Sequence, residues 1–563
     1  MIGDWLLSFT SLIKRQKADQ IIIMINIRKI IFFFFLRNFN KKLNFAYNYL
    51  KDHNKINEIY ELKEKLQKIH FNNDFEKIHK IFPNSDADIY SSLYQFIYSR
   101  IINRSLFTSR VMLSIAFKKK FYYPLPKIYL DKISKVVDVN YFISKILYIS
   151  FIILYFIFQI FLIISSIKYF FKFKIKTNKA IYLNSIPNLY SDYSNNNECL
   201  DFFKWSLKTF DLKDNIIFTH SNKNIINKKI HVNDKFYETY YLKHPVAFFL
   251  NISNILSFFV ALIKTTKTIS KTFYYKKFEI IFLIKEIYFL HLFKDINRYY
   301  NLCLFNNSDM IFKPLWTYQN EKKIKESVVV YFYSTNVNPL LWELTKEKYF
   351  ETYGYCLLSW KKYVSWTLLH EKWLNKITKK QNKFIRTSYV PFAGEHTKLS
   401  FKKKILTIFD VPPRKDEIYN LLDNPYNIYT LKYCTNFIQN IIYALPESFY
   451  ENFNIIIKSK FKNNKIIHTK YDQYLNDLQK NKNIKIIHKI SSESIIDKSD
   501  ATISIPFTSP AITSLRKNKN AIFYDPSGKL TLLNCLEKDI KLVSTLEDLK
   551  VWISELVENE NKK

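Results

Sequence analysis

From Lys404 onward, short β-branched and aromatic runs alternate with helical stretches, and this alternation limits the fold more than any other feature of the chain. The spacing predicts strands at Lys404–Phe409, Asn454–Ile457, Ile484–Ile487, Ala501–Ile505 and Ala521–Tyr524. Helices are expected between them at Tyr433–Leu445, Tyr471–Gln479, Glu493–Lys498 and Pro510–Lys517. Alternation of this kind argues for an α/β domain with a parallel, doubly wound sheet. A looser version begins at Ala180, with strands expected at Ala180–Leu183, Asn215–Thr219, Ser327–Tyr333, Tyr355–Ser359 and Thr387–Val390. Two α/β domains are therefore expected, 176–395 and 396–563, joined near Pro391–Lys404.

One unit carries a chemical signal. Ala501–Ile505 runs into Pro506-Phe507-Thr508-Ser509-Pro510, and Ala521–Tyr524 then ends in Asp525-Pro526-Ser527-Gly528. Ser509 suits an N-cap and Pro510 the first helical position, where a missing N–H costs nothing. The amino end of that helix would present free N–H groups and a positive dipole end beside the ends of the strands, a physical setting for a phosphate or diphosphate.

The same residues carry a family resemblance. Ile505-Pro-Phe-Thr-Ser-Pro-Ala511 with Phe523-Tyr-Asp-Pro-Ser-Gly528 resembles the bacterial polysaccharide-biosynthesis proteins named for their Pro-Phe-Thr-Ser motif. Ser308–Trp316, Tyr331–Asn336, the Trp-rich Trp360–Trp373, Ile408–Pro413 and Ile455–Lys460 fit the same pattern, so the resemblance spans roughly residues 300–530. Pro391–His396 departs from it, in a turn where more Gly and Trp would be expected. The resemblance implies a glycosyltransferase-like protein of the GT-B arrangement, two facing Rossmann-like domains, with the last helix, Leu546–Val557, crossing back to the first.

Composition narrows the partners. The net charge is +37, yet only 10 of the 86 basic residues are Arg, and Lys, Asn, Ile, Phe and Tyr abound while Gly is scarce. That profile fits an AT-rich codon bias. Nucleic-acid binders lean on Arg for base and phosphate contacts, and no motif of that class occurs, so no nucleic-acid partner is expected. The excess charge favours an anionic bilayer and phosphorylated ligands. The five Cys residues are scattered, giving neither a metal site nor a disulfide framework. Asp86-Ala87-Asp88 could imitate a metal-binding Asp-x-Asp, but it precedes a helical run, where acidic groups suit a helix start. No metal and no cofactor are expected, the nucleotide-sugar being a substrate.

Residues 1–140 read as helical. Next, 22 uncharged residues, Ile146–Ile167, lie between Lys145 and Lys168. As a helix they would extend roughly 30 Å, a bilayer core, so 141–175 is expected to be a transmembrane or membrane-inserted helix. Lysines flank it on both sides and leave its topology open. Pro245–Ile263 reads as an amphipathic helix facing a membrane or belonging to the first α/β domain.

Leaving-group chemistry without a metal needs N–H dipoles and cations. Lys458 and Lys460 follow a strand; Thr508 and Ser509 open the helix; Asp525 and Ser527 could reach ribose hydroxyls. These six are the expected donor-binding residues. Ser334, Thr335 and Asn336 offer hydroxyl and amide groups to an acceptor, and Trp316, Trp360 and Trp366 could stack on a sugar face. His220, after a strand, and Glu395, near the hinge, are the candidate bases, with His244 and His396 as further options. The reading is a membrane-associated transferase at the cytoplasmic face of the plasma membrane, passing a sugar from a nucleotide-sugar to a lipid-linked or growing surface glycan. Rivals are a nucleotide-sugar epimerase of the same form and a non-catalytic assembly protein.

Overall fold

The computed structural model describes residues 42–69, 75–82, 89–167, 180–184, 200–212, 216–221, 229–232, 235–242, 245–250, 254–334, 353–387, 390–391, 402–414, 429–459, 467–488, 490–530 and 540–561. They build two sheets. The first takes β1 (Ala180–Leu183), β2 (Ile217–His220), β3 (Lys229–Val232), β4 (Lys235–Tyr241), β5 (Leu302–Asn306), β6 (Val328–Tyr331), β7 (Lys362–Ser365) and β8 (Lys383–Arg386). The second takes β9 (Lys404–Phe409), β10 (Phe453–Lys458), β11 (Ile484–Ile487), β12 (Ala501–Ser504), β13 (Asn520–Tyr524) and β14 (Lys541–Val543).

The second sheet is parallel throughout and ordered β11-β10-β9-β12-β13-β14. Counted within the domain, that is 3-2-1-4-5-6, the dinucleotide-fold order whose direction reverses between its first and fourth strands. The first sheet is ordered β3-β4-β2-β1-β5-β6-β7-β8, and only β3 is antiparallel, on β4. Without β3 it repeats the 3-2-1-4-5-6 order and adds a seventh strand. The chain is thus an α/β protein with two Rossmann-like sheets.

Both faces of the second sheet are covered, which is why its strands read as unbroken apolar runs. Leu406, Ile408, Ile455, Ile457 and Ile503 pack on one side with α6 (Leu431–Ala444), α7 (Thr469–Leu478) and α10 (Leu546–Asn561). Ile405, Phe409, Ile456 and Ile487 face α8 (Ser492–Lys498), while Phe523 meets Ala511 and Ile512 of α9 (Ser509–Arg516). The last helix differs from expectation: Leu549, Trp552, Ile553 and Leu556 of α10 are buried in the second domain's own core, so this amphipathic face does not cross back.

The first sheet shares one continuous core with the amino-terminal helices, from Leu43 through α1 (Ile89–Ile97) and α2 (Tyr141–Ile164) to Val390. Further helices of this domain include α3 (Ile255–Tyr274), α4 (Ile284–Ile296) and α5 (Leu368–Thr378); α5 packs on β7, and α4 lies against both α2 and α3. Gln95 of α1 ties the helices to the sheet domain. Its amide nitrogen donates to the Leu357 carbonyl and Ser359 Oγ, and its oxygen accepts from the Lys313 N–H. The strand expected at Tyr355–Ser359 is a 3-10 turn, Tyr355–Leu357, entered through Gly354 at φ +88. A left-handed residue there breaks the extended backbone, and the strand forms one segment later as β7. The Pro245–Ile263 stretch divides into a 3-10 turn, Pro245–Phe249, and the start of α3.

Candidate active site at the carboxyl end of the second sheet

In a sheet of this order, ligands bind beyond the strand ends where the order reverses. Here that point lies between β9 and β12. The loop Asp410–Arg414 leaves one strand and Ile505–Thr508 leaves the other.

The Pro-Phe-Thr-Ser motif has a mechanical explanation. Ile505 to Thr508 is a turn closed by the Thr508 N–H donating to the Ile505 carbonyl at 3.3 Å. Pro506 suits its second position. Phe507 takes the third at φ +61, a left-handed conformation that a bulky residue rarely holds. Burial keeps it there: Phe507 is 3% exposed and its ring packs on Phe523 with centroids 5.5 Å apart.

The sequence places the N-cap at Ser509, and the structure moves it back one residue. Thr508 is extended at φ −85, ψ 147, and Ser509 is the first helical residue with Pro510 in the first turn. The Thr508 hydroxyl donates backward to the Ile505 carbonyl at 2.7 Å instead of capping. No side chain caps α9, so its first N–H groups keep their capacity for an acceptor. Beside this turn the Ser504 hydroxyl, at the end of β12, is fully buried with no hydrogen-bond partner among the described residues.

The charged candidates hold the edge together. Lys458, 5% exposed, donates its ammonium to the carbonyls of Ser459 (3.1 Å) and His488 (2.7 Å), fastening β10 to the chain after β11. Asp525 is fully buried, and the expected ribose contact is not available to it. Its Oδ1 accepts from the Tyr433 hydroxyl (3.1 Å) and from the N–H (3.0 Å) and hydroxyl (2.7 Å) of Ser527. Its Oδ2 accepts from the Leu530 N–H at 2.9 Å. Burial, and then the Asp525 carboxylate, push the Tyr433 phenol well up, which keeps it a donor. Ser527 is exposed and spends its hydroxyl proton on Asp525.

Sequence reasoning missed Asp410, Arg414 and Arg516. Asp410 follows β9 with 6% exposure and accepts from the Tyr471 hydroxyl at 2.8 Å. The signal was its place after a six-residue apolar strand. Arg414, four residues on, lies within electrostatic reach of Tyr333 and Tyr353 of the first domain. Arg516, in the last turn of α9, donates to the carbonyls of Thr387 (2.9 Å) and Trp366 (2.7 Å), just beyond β8 and β7. These contacts join the two domains at the carboxyl end of α9, the helix whose amino end forms the candidate site.

On the first sheet, His220 ends β2 opposite Leu183 of β1 and is fully buried. Ser334 stands just past β6 at intermediate exposure. The switch point of this sheet lies between β1 and β5, where Asn306 donates to the Tyr331 hydroxyl at 3.2 Å. Trp316, Trp360 and Trp366 are at most 2% exposed and belong to the core, not to a sugar platform. The indoles of Trp360 and Trp366 donate to the carbonyls of Met310 and Phe332. Lys460, Thr335, Asn336, Glu395, His396, His244 and Asp86-Ala87-Asp88 lie outside the described residues. Among the described residues no group of three His, Cys, Asp or Glu side chains is arranged to hold a metal.

The profile of the polysaccharide biosynthesis PFTS motif proteins matches residues 261–553, more than half of the chain. The protein belongs to this family. No curated protein matches it in sequence. Among solved structures, the UDP-GlcNAc 2-epimerase of Methanocaldococcus jannaschii is similar at TM-score 0.32 and 11% identity, over 67% of this chain and 92% of that one. The α,α-trehalose 6-phosphate synthase of Burkholderia multivorans is similar at TM-score 0.35 and 7% identity, over 68% and 90%. Overlaps this loose add nothing to the strand orders, and the fold rests on those.

Proposed function

We propose that this PFTS motif protein is a metal-independent, GT-B-like glycosyltransferase that moves a sugar from a nucleotide-sugar to a lipid-linked or growing surface polysaccharide at the cytoplasmic face of the plasma membrane. One observation carries the reading: the family's own motif forms a strained turn and an uncapped helix start at the switch point of a 3-2-1-4-5-6 sheet. Fixed N–H dipoles there stabilise a departing nucleoside diphosphate without a metal, because they are already oriented when charge develops.

The roles follow from that placement. The N–H groups of Ser509 and Ala511 and the Ser509 hydroxyl receive the diphosphate, and Thr508 fixes the turn. Lys460, two residues on in the sequence, adds a cation to Lys458, which itself holds the edge and contributes positive potential. Asp525 sets the loop that presents Ser527 to the nucleoside. Ser334, Thr335 and Asn336, after β6, meet the acceptor. Glu395, near the inter-domain hinge, is the stronger candidate base, since the His220 ring is buried and proton exchange there requires β2 and its neighbours to part.

The test is incubation with labelled nucleotide-sugars and membranes, reading label in the lipid fraction. Transfer is expected, and Ser509→Asp should lower it at least about a hundredfold, in the range for removing one preorganised donor. A soluble sugar isomer with no lipid product would mark an epimerase. Neither product, with no nucleotide response, would mark an assembly protein.

A further inference from the structure

Helix α2 is long and apolar enough to cross a bilayer, but its surroundings do not suit a crossing. Phe151, Tyr155, Gln159 and Leu162 are buried along one face. The Phe282 ring packs on Phe151 (5.7 Å) and Tyr155 (5.6 Å), and Phe96 of α1 packs on Tyr155 (5.6 Å). Phe282 leads directly into α4, which also touches α2 and carries Lys285, Glu286, Lys294 and Asp295. A spanning α2 would draw these charges, and the sheet domain behind them, into hydrocarbon, where charges are costly and open sheets do not occur.

The opposite face of α2 is an unbroken apolar stripe. Phe142, Ile146, Ile149, Ile153, Ile157 and Ile164 recur at helical spacing, between 47% and 74% exposed. Helix α3 rests on the same support, α4 and the 3-10 turn Phe278–Leu283. It exposes a second stripe, Leu256, Phe259 and Ile263, that continues as exposed Lys267 and Lys271. Lys127, Lys132, Lys135 and Lys145 are exposed around the amino end of α2. Apolar stripes edged by lysine complement an anionic bilayer surface. A second copy of a chain with net charge +37 would meet the same face with like charge.

From this geometry we infer that α2 does not span the membrane: it lies in the plane of an anionic bilayer, with its Phe142–Ile164 stripe and the Leu256–Ile263 stripe of α3 as a two-helix footing. This deepens the membrane part of the reading above and does not depend on the transferase part. The footing holds the first domain against the leaflet that contains a lipid-borne acceptor.

The test uses the full chain with vesicles of phosphatidylcholine, with and without phosphatidylglycerol. Sedimentation should show binding to the anionic vesicles, weakened by salt. Ile153→Glu with Ile157→Glu should weaken binding about tenfold or more, since charge on the apolar face opposes insertion, and Leu256→Glu with Phe259→Glu should weaken it less. Unfolding midpoints should hold, because these side chains are exposed. A dye on Phe142→Cys, Ile153→Cys or Ile164→Cys, in a background cleared of reactive native cysteines, should be quenched at one shallow depth by lipid-borne quenchers. A position 153 deeper than both ends would overturn the inference in favour of a span. Vesicle binding unchanged by all four glutamates would overturn it as well, as would a dimer that the glutamates dissolve. Lost glycosyl transfer with intact vesicle binding would sink the transferase reading alone.

Discussion

The two sheets share a strand order but differ at their switch points. At the second sheet, Lys458, Asp410 and Asp525 are buried at the ends of β10, β9 and β13 and bonded within the protein, and a helix start without a side-chain cap follows β12. Among the described residues, the first sheet shows Asn306, Tyr331 and buried His220 at the corresponding edge, with Glu371 and Arg386 paired further out, beyond β7. The difference separates two tasks. On the function proposed above, buried charges at the second edge would hold backbone dipoles rigid for an anion, and the first edge would present neutral groups to a sugar.

Asp525→Ala should sharpen this contrast most. It removes an acceptor for four donors and leaves the Leu530 N–H and Tyr433 hydroxyl buried, which should cost about 3–5 kcal/mol by denaturant unfolding. Asn306→Ala at the other edge loses only the bonds to the Tyr331 hydroxyl and the Ser308 N–H and should cost less, about 2–3 kcal/mol. Equal losses would erase the distinction.

The pH response should belong to the first domain. His370 is buried against Phe332, with neither ring nitrogen hydrogen-bonded among the described residues; burial holds its imidazole down at about 3, although Glu371 opposes the shift. The unfolded chain takes up this proton below about 6.5 and the folded chain does not until about 3. Stability is therefore complete above pH 6.5 and falls by about 1.4 kcal/mol per unit as pH drops between those values. Half-buried His291, held at about 4 by burial and Lys264, adds to the same fall. His370→Leu should flatten the slope, and an unchanged slope would refute the assignment.

Gly354→Ala should cost about 1–3 kcal/mol. Its φ is +88, and a new Cβ would stand 2.7 Å from the Tyr98 ring, which links α1's neighbourhood to the sheet domain. Arg516→Lys should have the smallest effect, about 1–2 kcal/mol, because one ammonium cannot replace two guanidinium donors to Thr387 and Trp366. That variant should also loosen nucleotide affinity, read by calorimetry, if the domain contact sets the site.

The second domain was legible in the sequence. Strands such as Lys404–Phe409 and Ile484–Ile487 matched residue for residue, because both sheet faces are covered and turn residues separate the apolar runs. The first domain was less so. Buried β5 went unread because Leu302–Asn306 follows a helix equally rich in Ile, Phe and Tyr, so a five-residue run has no contrast. Strand β4, paired with β3, is polar and half-exposed, and β14 has three residues. At the site, the sequence located the motif but misjudged roles. Asp525 looks like a ligand residue until its four internal donors are counted, and Arg516 acquires its meaning from carbonyls more than a hundred residues away.

The central claim is that the amino end of α9 holds a nucleoside diphosphate. Its most direct test is a thermal shift of wild type and Ser509→Asp with UDP, GDP, CMP and ADP. One nucleotide should raise the wild-type midpoint and leave Ser509→Asp unmoved, with the variant melting no lower than wild type when no nucleotide is added. Equal stabilisation of the two, or of neither by any nucleotide, would contradict it.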